Sequence, residues 1–451
     1  MTTIFADEAL LADGWARNVR IAIEGADIIG AEAGASPEPD DERHAIVIPA
    51  MPNLHSHAFQ RGMAGLAETR GASSDSFWTW REVMYRFALA MTPEQVEAVA
   101  AQLYVEMLEA GFGRVGEFHY LHHDRDGTPY ANIAEMAERI AAAAANTGIS
   151  LTLLPVFYAH SSFGGRAPNE GQRRFINDPE RFALLLEESR RTVSNLDGAV
   201  VGVAPHSLRA VTPEELRMVT ALGSNGPIHI HVAEQIKEVE DCVAWSGARP
   251  VEWLLANTDI DRRWCLIHAT HMTEAETDRF GRRGAIAGLC PITEANLGDG
   301  TFAAASFLDS EGRFGIGSDS NVLIGVADEL RQLEYSQRLA HRERNVLGKV
   351  KGSTGRRLFK EALRGGARAL GAGPAGIAVG NVADLVSLDA SHPTLAGKSG
   401  DAILDAWIFA NGGRVDCVWA RGRKVVAGGH HHARAEIAKA FRAVMTTLTG
   451  S

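Results

Sequence analysis

Histidines and one aspartate recur in this 451-residue chain where short apolar runs end. The stretch "PNLHSHAFQRG" holds His55 and His57 one residue apart, "HIHVAE" holds His231, and "LIHA" and "GIGSDSN" hold His268 and Asp319. Imidazole nitrogens and carboxylate oxygens bind divalent cations at about 2.0–2.2 Å, and such a cation can activate water. If these runs converge in the fold, their ends can form a metal-dependent hydrolytic site.

Alternating strands and helices must position these side chains. Helix-length segments such as 92–111 and 133–148 separate the apolar, β-branched runs. Eight buried strands alternating with helices predict an α/β fold, a (β/α)8 TIM-type barrel with its active site at the carboxyl ends of the strands. Residues i and i+2 of a strand share a face, so we expect both histidines of the first run to point inward. We predict strands at 45–51, 114–120, 150–158, 198–206, 227–234, 263–269, 284–290 and 313–320.

Both ends of the chain differ from its middle. Residues 1–48 and 374–428 carry short β segments separated by glycine-rich turns, so we expect them to form one small β-sandwich domain. This domain would lie beside a barrel at 49–373, and 429–451 would form a C-terminal helical tail. The tract "GGHHHARAE" could bind metal, but we expect it on the surface near the C-terminus.

Composition excludes several function classes. The net charge is −11 and no dense Lys/Arg cluster is present, which argues against nucleic acid as a partner. Four cysteines without CxxC spacing indicate reduced, mostly buried thiols in a cytoplasmic protein. The N-terminus lacks the pattern of a signal peptide and no run of 18 apolar residues occurs, so we expect no membrane partner.

Convergence of several strand ends is what favours a metal site. The two histidines of the first run could by themselves be a hydrogen-bonded pair in the core. Three later strands also end in an imidazole or a carboxylate, and chance would rarely place such groups at so many strand ends. A site rich in histidine with one carboxylate suits Zn²⁺, and Fe²⁺ is also possible.

The pattern HxH, HxxE, H and D resembles the mononuclear deaminase branch of the amidohydrolase superfamily. The resemblance covers nearly the whole chain, and "NVADLVSLDASHPTL" is similar to the superfamily's return strand into its small β-domain. No lysine stands where it could bridge a second metal, so we expect one divalent ion per chain. His229 faces the same side as His231 and could itself be a ligand, but we expect it to pack in the core or to hydrogen-bond a ligand. The resemblance implies four metal ligands, His55, His57, His231 and Asp319.

Three residues would then serve the chemistry of deamination. Metal-activated water would attack a carbon doubly bonded to nitrogen, and Asp319 and His268 could take or orient the water's proton. An amide anion is a very poor leaving group, so a general acid must protonate the departing nitrogen. Glu234 follows the ligand His231 at the spacing of the superfamily's HxxE motif and is suited to carry that proton. The alternative for Glu234 is a surface salt bridge.

Two arginines near the predicted active-site mouth suggest a dianionic substrate. Arg81 and Arg209 could each bind a carboxylate bidentately, whereas a purine or cytosine site would more often use amides and stacked aromatics. Ordinary salt bridges are the alternative for both. The metal chemistry alone leaves guanine, cytosine, adenosine-type and acyclic amidine substrates open.

Several stretches are similar to those of the N-formimidoyl-L-glutamate deiminase family, among them "FWTWREVMYR", "GEFHYLHHD" and "PITEANLGDG". The resemblance implies conversion of N-formimidoyl-L-glutamate and water to N-formyl-L-glutamate and ammonia in histidine degradation, by an enzyme we expect to be a homodimer. Another deaminase or an amidine or chloride hydrolase of the branch is the main alternative, and a non-catalytic scaffold is the second. The family's pattern implies five substrate-binding residues, Gln60, Arg81, Tyr120, His206 and Arg209.

Overall fold

Strands and helices alternate through most of the chain in the computed structural model, which describes residues 1–70 and 77–450. The strands are β1 Thr2–Leu10, β2 Trp15–Glu24, β3 Asp27–Glu32, β4 Glu42–Pro49, β5 Met51–Ser56, β6 Phe112–His119, β7 Ser150–Phe157, β8 Val200–Val201, β9 Ala204–Pro205, β10 Ile228–Val232, β11 Trp264–His268, β12 Ile286–Leu289, β13 Arg313–Ile316, β14 Leu385–Leu388, β15 Val415–Ala420, β16 Arg423–Ala427 and β17 His430–His431.

The α-helices fill the intervals between these strands and follow the last of them. They are α1 Phe77–Ala90, α2 Pro93–Glu109, α3 Glu135–Thr147, α4 Pro179–Val193, α5 Pro213–Leu222, α6 Ile236–Ser246, α7 Pro250–Asn257, α8 Glu274–Gly281, α9 Pro291–Leu297, α10 Ala304–Asp309, α11 Val326–His341, α12 Thr354–Ala369, α13 Asp401–Phe409 and α14 Arg434–Thr449. Short 3-10 helices span Ala58–Met63, Glu170–Gln172 and Pro393–Leu395. Within the described ranges, no helix is both long and apolar enough to cross a membrane.

Strands from both chain ends share one mixed sheet. Among the described residues it has eight strands in the order β17-β16-β15-β14-β4-β1-β2-β3. Burial alternates along β2, where Val19, Ile21 and Ile23 are buried between more exposed neighbours, as expected for a strand with one covered face. These residues belong to a hydrophobic cluster separate from the main core, together with Ile4 and Trp419.

Parallel strands form the middle of the molecule. Strands β5 to β8 pair in chain order with β9 beside β7, and β10 to β13 pair in chain order in a second sheet. Every residue of β5, β6, β7 and β10 is buried, the pattern of parallel strands covered on both faces. Isolated bridges join the two sheets at Ser56–Asp319, Val203–Ile228 and Ser207–His231.

Two strand predictions are wrong in detail. The run 45–51 is not one strand, because it is divided between β4, which pairs with β1 and β14, and β5, which pairs with β6. Both sheets bury these residues, so the apolar run continues across the boundary at Ala50. The predicted strand 198–206 is likewise two short segments, β8 and β9, which pair with successive parts of β7.

Other predictions of local structure are mostly confirmed. The helix-length segment 92–111 is confirmed as α2, which has Thr92 as its N-cap and Pro93 at its first helical position. All four cysteines are free and buried. The histidine tract lies mostly at the surface, as predicted, with His430 and His432 exposed. His431 is the exception, since it pairs with Val426 of β16, is buried, and lies 2.9 Å through its Nε2 from the Thr147 carbonyl oxygen.

Candidate active site

The four side chains predicted to bind metal lie together at the carboxyl ends of parallel strands. His55 is in β5 and His231 in β10, while His57 and Asp319 shortly follow β5 and β13. One potential ligand atom of each lies within 4.8 Å of the others. His231 Nε2 is 3.1 Å from His55 Nε2, and Asp319 Oδ1 is 3.4 Å from His55 Nε2 and 3.2 Å from His57 Nε2. We call these four residues the His–Asp cluster.

Backbone pairing holds the His–Asp cluster in place. The Asp319 N–H donates to the His55 carbonyl at 2.9 Å, and the His57 N–H donates to the Asp319 carbonyl at 3.1 Å. The His231 N–H donates to the His206 carbonyl at 3.0 Å. The positions of these side chains therefore follow from how the strand ends pair.

The ring nitrogens of the cluster are oriented for a cation. His57 Nδ1 lies 3.0 Å from the Phe118 carbonyl oxygen, and His231 Nδ1 lies 3.0 Å from that of His206. A carbonyl only accepts, so each Nδ1 carries the proton and each Nε2 turns a lone pair toward the cluster. Facing lone pairs and a carboxylate repel unless a cation lies between them. Three imidazoles and one carboxylate therefore fit a divalent metal ion.

Burial gives the cluster the protonation states that metal binding requires. It lowers the pKa of His55 to about 3 and that of His231 well below its ordinary value, so both imidazoles are neutral at neutral pH. Burial alone would raise the pKa of Asp319, but the close contacts of its carboxylate with His55 and His57 outweigh burial and hold that pKa well below its ordinary value. Asp319 is therefore a carboxylate.

The backbone leaves three strand ends in a strained conformation. Ala233, His268 and Asp319 have φ angles of 52°, 66° and 45°, in the left-handed region that non-glycine residues rarely occupy. Such residues cost on the order of 1–3 kcal/mol each and concentrate at functional sites. This strain occurs where the chain brings the predicted metal-binding and proton-transfer groups together.

The predicted proton-transfer groups, Glu234 and His268, adjoin the cluster. His268 Nε2 lies 3.8 Å from Glu234 Oε1 and 3.7 Å from Asp319 Oδ2. Burial alone would lower the pKa of His268, but Glu234, Glu294 and Asp319 outweigh it and raise that pKa to about 10. Burial raises the pKa of Glu234, although His268 and Arg209 oppose the shift. Both groups are thus placed to hold or pass a proton beside the cluster.

Two buried carboxylates support this arrangement and were missed from the sequence. Glu294 Oε1 lies 3.2 Å from His268 Nδ1 and accepts the Cys290 N–H at 2.9 Å. Glu238 accepts the N–H of Ala233 at 3.1 Å and of Glu234 at 3.2 Å. Glu294 lies within the quoted motif "PITEANLGDG", but no periodicity links it to the strand that ends in His268.

A cavity opens beside the cluster, and all five predicted substrate-binding residues line it. We call these five residues the binding wall. Its members come from the 3-10 helix after β5, from α1, and from the loops that follow β6 and β9; they are Gln60, Arg81, Tyr120, His206 and Arg209. The cavity is also lined by residues that were not predicted from the sequence, among them Met84, Tyr85, Tyr158, Phe175 and Leu297.

Polar contacts organise the binding wall. Gln60 Nε2 donates to the Tyr120 hydroxyl at 2.8 Å. The Arg81 guanidinium lies 5.3 Å from the centre of the Tyr85 ring. Arg209 Nη2 is 4.0 Å from a carboxylate oxygen of both Glu234 and Glu238, at the limit of an ion pair. Two cations therefore face a cavity that also borders the His–Asp cluster.

His229 lies outside the His–Asp cluster. It is buried in β10, and its Nε2 lies 2.7 Å from the Ala369 carbonyl oxygen. The structure thus gives His229 a packing contact with the end of α12.

Sequence comparison identifies the group of proteins to which this site belongs. The model of the "Amidohydrolase family" matches residues 46–425, and that of the "Formimidoylglutamate deiminase HutF, N-terminal domain" matches residues 1–45. The chain belongs to the amidohydrolase family. It is 52% identical to the formimidoylglutamate deiminase of Pseudomonas aeruginosa, over 99% of this chain and 100% of that protein.

Other proteins that resemble the chain carry different names. An 8-oxoguanine deaminase of P. aeruginosa is 26% identical over 86% of this chain and 84% of its own length. The crystal structure of an amidohydrolase from Brucella melitensis matches with a TM-score of 0.98 and 64% identity, over 100% of both chains. A zinc-bound adenosine deaminase from Xanthomonas campestris matches with a TM-score of 0.83 and 21% identity, over 100% of this chain and 99% of that one. The shared architecture is a TIM-barrel-like α/β fold.

Proposed function

We propose that this chain is a metal-dependent hydrolase that converts N-formimidoyl-L-glutamate and water to N-formyl-L-glutamate and ammonia. The observation that carries the proposal is one cavity that joins a metal-binding donor set to two arginines. The relative that is 52% identical over its whole length is a formimidoylglutamate deiminase, which agrees with this chemistry. The reaction belongs to histidine degradation.

The His–Asp cluster is proposed to hold one divalent ion, Zn²⁺ or Fe²⁺. His55, His57 and His231 would bind through Nε2, and Asp319 through its carboxylate, because these atoms converge while the Nδ1 atoms of His57 and His231 face carbonyls. When bound, such an ion supplies water with a pKa lowered toward about 7. The described residues of β8, β9 and the following loop bring no lysine to line the cavity, which supports a single ion.

Glu234 is proposed to move the proton that the reaction needs. Its raised pKa and its position beside His268 suit a group that takes a proton from attacking water and delivers it to the departing nitrogen. Asp319 Oδ2 lies 3.7 Å from His268 Nε2. These two side chains would hold or orient the water's proton. Glu294 would keep the His268 ring in position through Nδ1.

The binding wall is proposed to hold the substrate by its two carboxylates. Arg81 and Arg209 would each pair with a carboxylate, since guanidinium matches carboxylate geometry in a buried site. Gln60, Tyr120 and His206 supply further polar contacts along the same cavity. A neutral nucleobase would offer no carboxylate to either guanidinium group, which disfavours a nucleobase deaminase.

The direct test is ammonia release from a panel of substrates. Purified protein is incubated separately with N-formimidoyl-L-glutamate, 8-oxoguanine, adenosine and 5-methylthioadenosine, and ammonia is measured with a coupled assay. Turnover of N-formimidoyl-L-glutamate alone supports the proposal. Turnover of a nucleobase or nucleoside with none of N-formimidoyl-L-glutamate would reject it.

We also propose that the two parallel sheets form one closed (β/α)8 barrel beside a β-sandwich domain made by both chain ends. The bridges Ser56–Asp319 and Val203–Ile228 at the two gaps between the sheets support closure. The separate hydrophobic cluster of the mixed sheet supports a second domain. The domain boundaries, the homodimer and the cytoplasmic location stay predictions.

A further inference from the structure

Tyr158 is a buried tyrosine of the cavity to which the sequence assigns no role. It directly follows β7, at the same end of the sheet as the His–Asp cluster, and lines the cavity. Its ring centre lies 4.5 Å from that of His206 and 5.9 Å from that of Phe175. With 7% of its surface exposed, the ring is fixed by packing, and the hydroxyl is its polar end.

The direction of the hydrogen bond between Gln172 and Tyr158 can be deduced. The Asn169 N–H donates to Gln172 Oε1 at 2.9 Å. A backbone N–H can only donate, so the amide oxygen of Gln172 is fixed on that side and its NH₂ group faces Tyr158. Gln172 Nε2 therefore donates to the Tyr158 hydroxyl, at 2.7 Å.

This direction leaves the hydroxyl proton of Tyr158 available. A phenol carries one proton to donate, and accepting from Gln172 does not use it. Among residues 1–70 and 77–450, no acceptor takes this proton. A buried donor without a partner is unfavourable, and in a cavity wall its natural partner is a bound ligand.

The charges around Tyr158 indicate which kind of ligand this is. Burial raises the pKa of Tyr158, and the positive charges of Arg209 and Arg81 act in the opposite direction. Both guanidinium groups also line the cavity that Tyr158 lines. A donor beside two cations suits an anionic oxygen, and a hydrogen bond to a carboxylate is stronger than one between neutral groups.

We propose that Tyr158 is a further substrate-binding residue, whose hydroxyl donates to the substrate carboxylate held by Arg209, and that Gln172 is a positioning residue that sets this direction of donation. The proposal rests on the proposed function, because it needs a substrate with carboxylates. It adds a neutral donor to the binding wall and gives a role to the contact between Gln172 and Asn169.

The test compares Tyr158→Phe with wild type on two substrates. The phenylalanine keeps the ring in its packing and removes only the hydroxyl. The ratio of kcat/KM for N-formimidoyl-L-glutamate to kcat/KM for formamidine, which has no carboxylate, should fall about 10- to 100-fold, the range for a lost hydrogen bond to a charged group. Tyr130→Phe is the matched control, since Tyr130 lies outside the cavity lining and bonds Asp124, and its ratio should not change.

Gln172→Glu tests the direction of donation. A carboxylate at this position would accept from Tyr158 and turn the hydroxyl proton away from the cavity, while still accepting the Asn169 N–H. The ratio should fall at least as far as in Tyr158→Phe. Gln172→Leu removes the donor without reversing the bond and should have the smaller effect, so equal losses in both variants would overturn the directional role.

Truncated substrates identify the shared carboxylate. N-formimidoyl-4-aminobutyrate lacks the α-carboxylate, and N-formimidoyl-L-2-aminobutyrate lacks the γ-carboxylate. The effects of Tyr158→Phe and Arg209→Met should both disappear on the same one of these two compounds.

The experiments distinguish failure of the proposed role of Tyr158 from failure of the proposed function. If wild type turns over N-formimidoyl-L-glutamate and Tyr158→Phe leaves the ratio unchanged, the role of Tyr158 is rejected and the proposed function stands. If wild type does not turn over this substrate, the proposed function itself fails. Thermal unfolding and metal content of each variant show whether the fold is intact, and a fall in both activities by the same factor would mean that Tyr158 serves only the structure.

Discussion

At the His–Asp cluster, His55, His231 and Asp319 stand on strand ends whose backbones pair with neighbouring strand ends, whereas the two arginines of the binding wall come from α1 and from the loop after β9. Strand pairing allows the cluster little freedom, while a helix and a loop can change without disturbing the sheets. Relatives with differently named activities, such as the 8-oxoguanine deaminase, are therefore compatible with one fold. The comparison suggests that the cluster provides the chemistry and the binding wall selects the substrate.

The largest effect should follow from breaking the His–Asp cluster. His231→Ala removes one of the three proposed imidazole ligands, so bound metal should fall from about one equivalent per chain to a trace, and ammonia release should fall to background. Elemental analysis of protein purified without chelator measures the first quantity. His229→Gln is the matched control in the same strand and should keep its metal; metal retained in His231→Ala would contradict the ligand assignment.

Glu234→Gln should separate proton transfer from metal binding. The amide keeps the size of the side chain and cannot carry the proton, so kcat should fall by about 10²–10⁴ with metal content unchanged. Steady-state kinetics and elemental analysis check the two parts. Glu240→Gln, at an exposed position of α6, is the control. Loss of metal from Glu234→Gln would make Glu234 a ligand and show the proton-transfer assignment to be wrong.

Arg209→Met should weaken binding of the dicarboxylate substrate and leave the chemistry of the His–Asp cluster intact. Truncating one partner of a buried charge pair typically costs about 2–5 kcal/mol, so kcat/KM for N-formimidoyl-L-glutamate should fall about 30-fold or more. Formamidine turnover and metal content provide the comparison, and Arg217→Met, at an exposed position of α5, is the control variant. An equal loss with formamidine would place Arg209 in the support of the His–Asp cluster and remove the distinction between the two regions.

Glu294→Gln should give the smallest change and test how His268 is oriented. The amide can keep a hydrogen bond to His268 Nδ1 but removes the charge, so kcat should fall about 10-fold, as for other residues that orient catalytic groups. KM and metal content should stay near the wild-type values. A rise in KM without a fall in kcat would instead connect Glu294 with substrate binding.

Local patterns reveal the His–Asp cluster and much of the secondary structure. His55, His57, His231 and Asp319 could be predicted because each follows an apolar, β-branched run, and the ends of such runs meet in a parallel α/β fold. The start of α2 was predictable because Thr92 and Pro93 are local capping signals.

Long-range pairing accounts for what the sequence did not reveal. The apolar run 45–51 serves two sheets, and composition does not show that the change occurs at Ala50, since both sides are buried. Glu294 and Glu238 act through contacts with backbone and side chains of other elements, which no spacing rule encodes. Tyr158 resembles any core tyrosine until the orientation of Gln172 is known.

Product analysis in ¹⁸O-labelled water tests most directly the claim that this site hydrolyses the C=N bond of N-formimidoyl-L-glutamate with loss of ammonia. Mass spectrometry of the products should show one N-formyl-L-glutamate for each ammonia released, with one ¹⁸O atom in the formyl group. L-Glutamate and formamide as products would mean that the bond to the glutamate nitrogen is broken instead. That result would contradict the proposed role of Glu234 as the acid that protonates the nitrogen that leaves as ammonia.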